Sequence, residues 1–353
     1  MIHARFQLER ADFTLDVDTQ LPAQGITALF GPSGSGKTTL LRCIAGLERA
    51  AGLLQVNGET WQDETTFLPA HRRPLGYVFQ ESSLFPHLSI RANLEYGYKR
   101  AADRRVQPEQ VIEWLGLDKL IDRRYPDQLS GGERQRVAIG RALLTSPRIL
   151  LMDEPLSSLD TASRQEILPF LERLHRELKI PVIYVSHALD EVARLADHLV
   201  LLQQGRVIAG GALGPTLSRL DLPTAHFDDA GVVIEAVVAH HDDAYHLTKL
   251  EFTGGNLWVG RVNQTTGSQV RARVLARDVS IATVMPQGSS ISNILPANIS
   301  EIQDEGPDKV LVRMTISDKQ VLLSRITRRS RDLLCLTIGM EVFAQVKSVV
   351  LTT

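Results

Sequence analysis

Cysteine is nearly absent: Cys43 and Cys335 are the only two in 353 residues. They are far apart and lie in no C-x-x-C or metal-ligand spacing, which excludes a disulfide framework and a cysteine-based metal centre. Two free thiols in a reducing compartment are expected. Long apolar runs are missing as well, and none approaches the ~18–20 residues that cross a bilayer. The longest, Ile149-Leu150-Leu151-Met152 and Val182-Ile183-Tyr184-Val185, have the length of buried strands. No signal-peptide pattern follows Met1, so a cytosolic chain is expected, and any membrane path must come from another protein. An excess of one charge is also lacking. Thirty-nine Lys and Arg against 41 Asp and Glu leave a net charge of −2, with no electrostatic footprint for nucleic acid.

What is present is the texture of two domains, the natural expectation at 353 residues. Residues 1–229 alternate short apolar strands with helical patterns, as in an α/β fold. From residue 230 to 353, short β-type runs such as Val232-Val233-Ile234, Leu257-Trp258-Val259 and Val310-Leu311-Val312 are punctuated by Gly, Asn and Asp. That pattern predicts a small all-β barrel or sandwich. A weak repeat, Gly267-x-x-Val270-x-Ala272-x-Val274 against Gly339-x-x-Val342-x-Ala344-x-Val346, predicts two similar β units joined near residues 285–290. The segment 215–229, with its Pro, His and Asp, reads as a linker.

Gly31-Pro32-Ser33-Gly34-Ser35-Gly36-Lys37-Thr38 fits the phosphate-loop pattern G-x-x-x-x-G-K-[ST], between a strand at 26–30 and a helix carrying Leu40, Leu41, Ile44 and Ala45. Its glycines let backbone N–H groups converge on phosphate at a helix N-terminus. Lys37 is expected to bridge the β- and γ-phosphates of ATP, Thr38 to ligate Mg²⁺, and Thr39 to join the phosphate contacts. The apolar strand before Asp153 and Glu154 ends where ligands sit in open parallel sheets. Asp153 suits the metal, and Glu154 suits a general base that polarises the attacking water.

Leu129-Ser130-Gly131-Gly132-Glu133-Arg134-Gln135-Arg136, just ahead of a helix at 134–145, resembles the signature of the ATP-binding-cassette (ABC) family. The resemblance covers residues 1–229 and implies an α/β P-loop ATPase working as a homodimer. In that family Ser130, Gly131, Gly132 and the loop Ser158-Leu159-Asp160 reach, in trans, the ATP held by a second copy. Gln80 matches the residue sensing Mg²⁺ and water, and His187 matches the switch histidine at the γ-phosphate. The family often has Gln where Glu133 stands, so the Glu133 side chain is expected to point away from phosphate. Arg134, Arg136 and Arg141 are open between phosphate contacts and a solvated or salt-bridged helix face. Phe13 is open between an adenine-stacking ring and a core residue. Residues 81–88 match the groove where a permease helix docks, with Leu84, Phe85 and Leu88 as its apolar floor.

Among ABC proteins, the chain has no coiled-coil insertion, fused membrane domain or second P-loop, which leaves importer subunits that pair with a separate permease. Residues 289–353 resemble a small molybdate-binding (Mop/TOBE-type, OB-like) unit. There Ser290, Ser292, Asn293, Lys347 and Ser348 match the oxyanion-contacting segments, with Ser292 in place of the usual Arg. Together the halves resemble the ATPase subunits of bacterial molybdate importers. The resemblance implies ATP and Mg²⁺ as cofactors and a peripheral place on the cytoplasmic face of the inner membrane. It implies a permease dimer, indirectly an extracytoplasmic molybdate-binding protein, and molybdate or tungstate at the C-terminal domain. A sugar or sulfate importer subunit and a non-transport regulatory ATPase stand as alternatives.

Overall fold

A computed structural model describes residues 1–101, 103–121, 125–317 and 320–352. They form two compact units, Met1–Ala212 and Leu213–Thr353. The division falls earlier than the expected boundary at residue 229. The segment expected to be a linker belongs to the second unit, because Leu220 and Ala225 are buried in its β core.

The first unit opens with the antiparallel strands β1 (Ile2–Arg10) and β2 (Phe13–Leu21), followed by β3 (Gly25–Phe30) and helix α1 (Lys37–Ala45). Then come β4 (Ala51–Val56), β5 (Glu59–Gln62) and β6 (Leu75–Val78). Three helices follow, α2 (Ile90–Tyr98), α3 (Pro108–Leu115) and α4 (Gly131–Leu143). The unit closes with β7 (Ile149–Asp153), α5 (Thr161–Glu177), β8 (Pro181–Ser186), α6 (Leu189–Leu195), β9 (His198–Gln203) and β10 (Arg206–Ala212). One sheet has the order β2-β1-β4-β5, and the other runs β10-β9-β3-β8-β7-β6. In the second, β9, β3, β8, β7 and β6 pair in parallel and β10 closes the edge antiparallel.

Parallel strands covered on both faces read as unbroken apolar runs, and β7 and β8 are buried at every position. Phe6, Leu15, Leu40, Leu41, Ile44, Leu151 and Val185 share one core that joins the antiparallel sheet, α1 and the parallel sheet. Burying each such side chain contributes roughly 1.5–3 kcal/mol. That packing holds the start of α1 and the ends of β7 and β8 at one edge.

The second unit comprises α7 (Leu213–Leu217), β11 (Gly231–Asp242), β12 (Leu247–Phe252), β13 (Gly255–Gly260), β14 (Gln269–Leu275) and β15 (Val279–Ala282). After these come β16 (Asn293–Glu305), β17 (Lys309–Ser317), β18 (Gln320–Thr327), α8 (Arg328–Leu333), β19 (Glu341–Val346) and β20 (Val350–Thr352). Two five-stranded sheets result, β13-β12-β11-β14-β20 and β15-β19-β16-β17-β18. Their pairings are antiparallel, the curled OB-like arrangement expected. The repeat read from Gly267 and Gly339 is structural. Each opens a strand, β14 or β19, that pairs with a long bulged strand, β11 or β16. The short last strand of each repeat crosses over: β15 pairs β19, and β20 pairs β14. Each half thereby covers an open edge of the other.

Candidate functional site

The phosphate loop leaves β3 with no room for a side chain at its first position. A Cβ on Gly31 would lie 2.1 Å from the Leu202 carbonyl oxygen. Gly36, the N-cap of α1, holds φ 100° with the Phe13 ring against it, where a Cβ would sit 2.7 Å from Cζ. Phe13 also packs on the first unit's core, so the same ring covers the loop and joins the core. The Lys37 ammonium folds inward and donates to the carbonyl oxygens of Gly31 at 2.8 Å and Pro32 at 2.9 Å. Burial pulls its pKa down, while Glu154 and Asp153 pull it up. The buried Ser35 hydroxyl has no protein partner, an orphan that an anion's oxygen would satisfy.

Asp153 closes β7 with both carboxylate oxygens engaged. Thr38 Oγ1 donates to Oδ1 at 2.8 Å, and Tyr77 OH donates to Oδ2 at 3.0 Å. Burial raises the Asp153 pKa, and these two hydrogen bonds oppose the rise. A hydroxyl and a carboxylate in contact beside an inward Lys suit Mg²⁺ that also takes oxygens from a nucleotide. Among the described residues no three His, Cys, Asp or Glu side chains gather into a separate metal cage. Tyr77 was not singled out from the sequence. Its position on β6, two residues before Phe79, resembles that of any half-buried strand aromatic.

Glu154 follows in the left-handed region at φ 45°, an unusual setting for a residue with a side chain. Its N–H donates to the Val185 carbonyl at 3.1 Å, and Ser157 donates to its own carbonyl through N–H and hydroxyl. The bend carries the carboxylate to His187, whose Nδ1 lies 3.2 Å from Oε2. Gln80 leaves β6 at the same edge, since Val78 is in register with Met152, and it is exposed.

Helix α4 begins at Gly131, three residues before the expected start at 134. Ser130 caps it: Glu133 N–H donates to Ser130 Oγ at 3.1 Å, and Ser130 N–H donates to Glu133 Oε2 at 2.8 Å. The expectation that Glu133 turns away is therefore corrected, because its carboxylate folds back onto the helix start. Two orphan N–H groups are satisfied by the box, and the Ser130 hydroxyl hydrogen stays available to an acceptor. Gly131 lets Leu159 approach, at 3.0 Å from where a Cβ would be. Asp160 caps α5, accepting from Ser163 N–H and hydroxyl at 2.9 Å each, and the first of these bonds leads in lowering its pKa. Arg134 and Arg136 donate to the carbonyls of Leu129, Leu115 and Gly116, and Arg141 donates to Ser83. These guanidiniums thus tie loops to α4 by hydrogen bonds to backbone carbonyls.

A groove of about 620 Å³ lies in the first unit, lined by Leu75, Tyr77, Phe85, Tyr96, Arg100 and Arg141 among others. Asn93 is fully buried, accepting from Phe85 N–H and donating to the Phe85, Leu88 and Ser89 carbonyls, so it shapes the loop before α2. Phe85 faces the groove, with its ring 4.5 Å from Tyr96. The expected apolar floor of Leu84, Phe85 and Leu88 is corrected to Phe85, because Leu84 and Leu88 are half-buried beside the groove and do not line it.

In the second unit, the β16–β19 register pairs Asn293 with Val346. The next positions outward are Ser292 and Lys347, both exposed, then Ile291 and Ser348. Ser290 is exposed one residue further along. Asn293 has another occupation: it is 8% exposed, accepts from Trp258 N–H at 2.6 Å and donates to Trp258 O at 2.9 Å. That clamp joins β16 to β13 across the two sheets.

A phosphate loop, a carboxylate-ended parallel strand and a capped Ser-Gly-Gly helix start define an ABC-type ATPase. Residues 15–157 match the ABC transporter family model, and residues 289–352 match the TOBE domain. The chain is 60% identical to the molybdenum import ATP-binding protein ModC of Thiobacillus denitrificans over 354 residues, covering 99% of this chain and 97% of that one. It is also 60% identical to ModC 1 of Azotobacter vinelandii, over 99% of this chain and 98% of the relative. Among solved structures, the dimeric cassette MJ0796 bound to ADP and Pi matches with a TM-score of 0.50 at 26% identity, covering 60% of this chain and 99% of that chain. CbiO1 of Clostridium perfringens shares the fold, at a TM-score of 0.54 and 23% identity, over 62% of this chain and 90% of its own. The chain belongs to the ModC family of molybdenum import ATP-binding proteins.

Proposed function

We propose that the chain is the ATP-hydrolysing subunit that energises molybdate import through a separate membrane permease. The observation that carries this reading is the meeting of Lys37, Thr38, Asp153, Glu154 and His187 at one sheet edge, in a chain that is similar to ModC relatives over 99% of its residues. Residues 31–39 cradle the phosphates of ATP. Mg²⁺ would be held by Thr38 and Asp153 with Gln80, and would neutralise phosphate charge. Glu154 takes a proton as the water oxygen bonds to the γ-phosphorus and the bond to the ADP oxygen breaks. His187, beside Glu154, donates to the γ-phosphate. Ser130, Gly131, Gly132 and Asp160 of a second copy complete the site in this reading, and the dimeric cassette among similar structures supports the pairing of two copies.

No helix among the described residues is long and apolar enough to cross a membrane. In this reading, which the likeness to ModC supports, the subunit works as a peripheral homodimer on the cytoplasmic face of the inner membrane, serving a permease dimer and an extracytoplasmic molybdate-binding protein. Its working halves in this reading are the ATPase half and the β-rich half, and residues 213–229 pack with the second through Leu220 and Ala225. At the β16–β19 end, Ser290, Ser292, Lys347 and Ser348 offer hydroxyls, N–H groups and one ammonium to molybdate or tungstate, with Asn293 holding the strand end.

Reconstituted with its permease and binding protein, the complex is expected to raise its ATPase rate with molybdate and not with sulfate or maltose. Stimulation by sulfate or maltose alone would assign the chain to another importer. The groove gives a separate prediction. Replacing Phe85, which faces the groove, by Glu should leave ATP binding by the isolated subunit intact and abolish co-purification with the permease, since charge set against an apolar helix is costly. An unimpaired complex would place the docking surface elsewhere.

A further inference from the structure

Glu191, in the first turn of α6, is 4% exposed, although the buried residues around it on that helix are Leu189, Val192, Ala193 and Leu195. A buried carboxylate is destabilising unless hydrogen bonds hold it. Here one oxygen, Oε2, accepts from Tyr184 OH at 2.8 Å and from Ser186 Oγ at 2.7 Å. Ser186 Oγ in turn accepts from Ala188 N–H at 3.0 Å. The residues on both sides of His187 are thereby fastened to one carboxylate. The His187 side chain itself is 55% exposed, so packing does little to fix it.

The other oxygen faces a different loop. Glu191 Oε1 lies 3.5 Å from Arg164 Nε, a buried N–H that makes no hydrogen bond. Arg164 sits in the first turn of α5, where its N–H donates to the Asp160 carbonyl at 2.9 Å. Asp160 is the cap of that helix. A continuous path runs from Asp160 through Arg164 and Glu191 to Ser186 and His187. Burial raises the Glu191 pKa, and Ser186, Tyr184 and Arg164 act against that rise.

We infer that Glu191 is a positioning residue for ATP hydrolysis, holding the strand end that carries His187 and tying it to the segment that carries Asp160. The inference rests on the proposed reading of His187 and Asp160. Under that reading one segment serves the chain's own nucleotide and the other serves its partner's. A Glu191 that holds both would make the two sites of a dimer respond together. An apolar residue would fill the same space on α6 without addressing either loop.

Two variants of the full chain separate the links. Glu191→Gln can still accept from Tyr184 and Ser186 through its carbonyl, but it turns an amide donor toward Arg164. Ser186→Ala removes the link to the amide after His187 and leaves Arg164 faced by a carboxylate. Misplacement of about 1 Å at a reacting group can lower a rate by ~10²-fold, so kcat is expected to fall ten- to a hundredfold in each. The KM for ATP should stay within about twofold, because the phosphate loop is untouched. Combining Glu191→Gln with Arg164→Gln, whose amide oxygen can accept from the new donor, should recover part of the loss. Melting temperature and the folded fraction are measured alongside. Losses of kcat that vanish once corrected for folded protein would make Glu191 structural only and overturn the inference. Undiminished kcat in Glu191→Gln and Ser186→Ala, beside an inactive His187→Ala, would overturn it while leaving the reading of the site intact. An active His187→Ala would overturn both.

Discussion

Glu154→Gln is expected to bind ATP normally and to lose nearly all hydrolysis, with the dimer caught in its ATP-bound form. The backbone of Glu154 is fixed at φ 45° by the Val185 carbonyl and by Ser157, so an isosteric side chain should occupy the same place. Gln preserves shape and can still bond to His187. It cannot take a proton from water. Loss of a general base typically lowers the rate by ~10²–10⁴-fold. Persistent ATP on a dimer-sized species in size-exclusion chromatography would mark the trapped state. Turnover at the wild-type rate would remove Glu154 from the role of base.

Mixed dimers carry the second large effect. Lys37→Ala removes the ammonium that folds into the phosphate loop. Ser130→Arg breaks the reciprocal cap at the start of α4 and fills the space where small residues present N–H groups. Either homodimer should be inactive. In a mixture, the Ser130→Arg subunit supplies an intact Lys37 and the Lys37→Ala subunit supplies an intact Ser130, so each mixed dimer keeps one whole site. Random pairing then restores up to roughly a quarter of wild-type activity, because half the dimers are mixed and each retains one of two sites. No recovery would mean hydrolysis within a monomer, or two sites that fire only together.

The candidate site residues are legible in the sequence because their chemistry is local along the chain. A phosphate loop needs contiguous glycines before a helix, and Asp153 and Glu154 end an apolar run that can only be a buried strand. The sequence pattern predicts a later start for helix α4 than the one observed, because Gly131 and Gly132 oppose helix propensity. The Ser130-x-x-Glu133 capping box is the sequence signal that marks both the helix start and the Glu133 orientation. The division at Ala212 lies ahead of the expected boundary, where Pro, His and Asp suggest a linker. Leu213, Leu217, Leu220, Leu222 and Ala225 are all buried there, an apolar spacing that outweighs the turn formers. Exchange of β15 and β20 between the repeats depends on pairing partners far along the chain. The Glu191 network is likewise assembled from α5, β8 and α6, and its Arg164 link spans two elements.

The central claim is that ATP hydrolysis at the Lys37–Glu154 site drives molybdate through a permease. Uptake of radiolabelled molybdate into proteoliposomes holding the complete transporter tests it most directly, with ATP and the subunit enclosed in the lumen and the binding protein and molybdate outside. Molybdate movement that requires ATP, and that stops when Glu154→Gln replaces the wild-type subunit, is the predicted result. Equal molybdate movement with the Glu154→Gln subunit, or none with the wild type under conditions where sulfate or a sugar is carried, would contradict it.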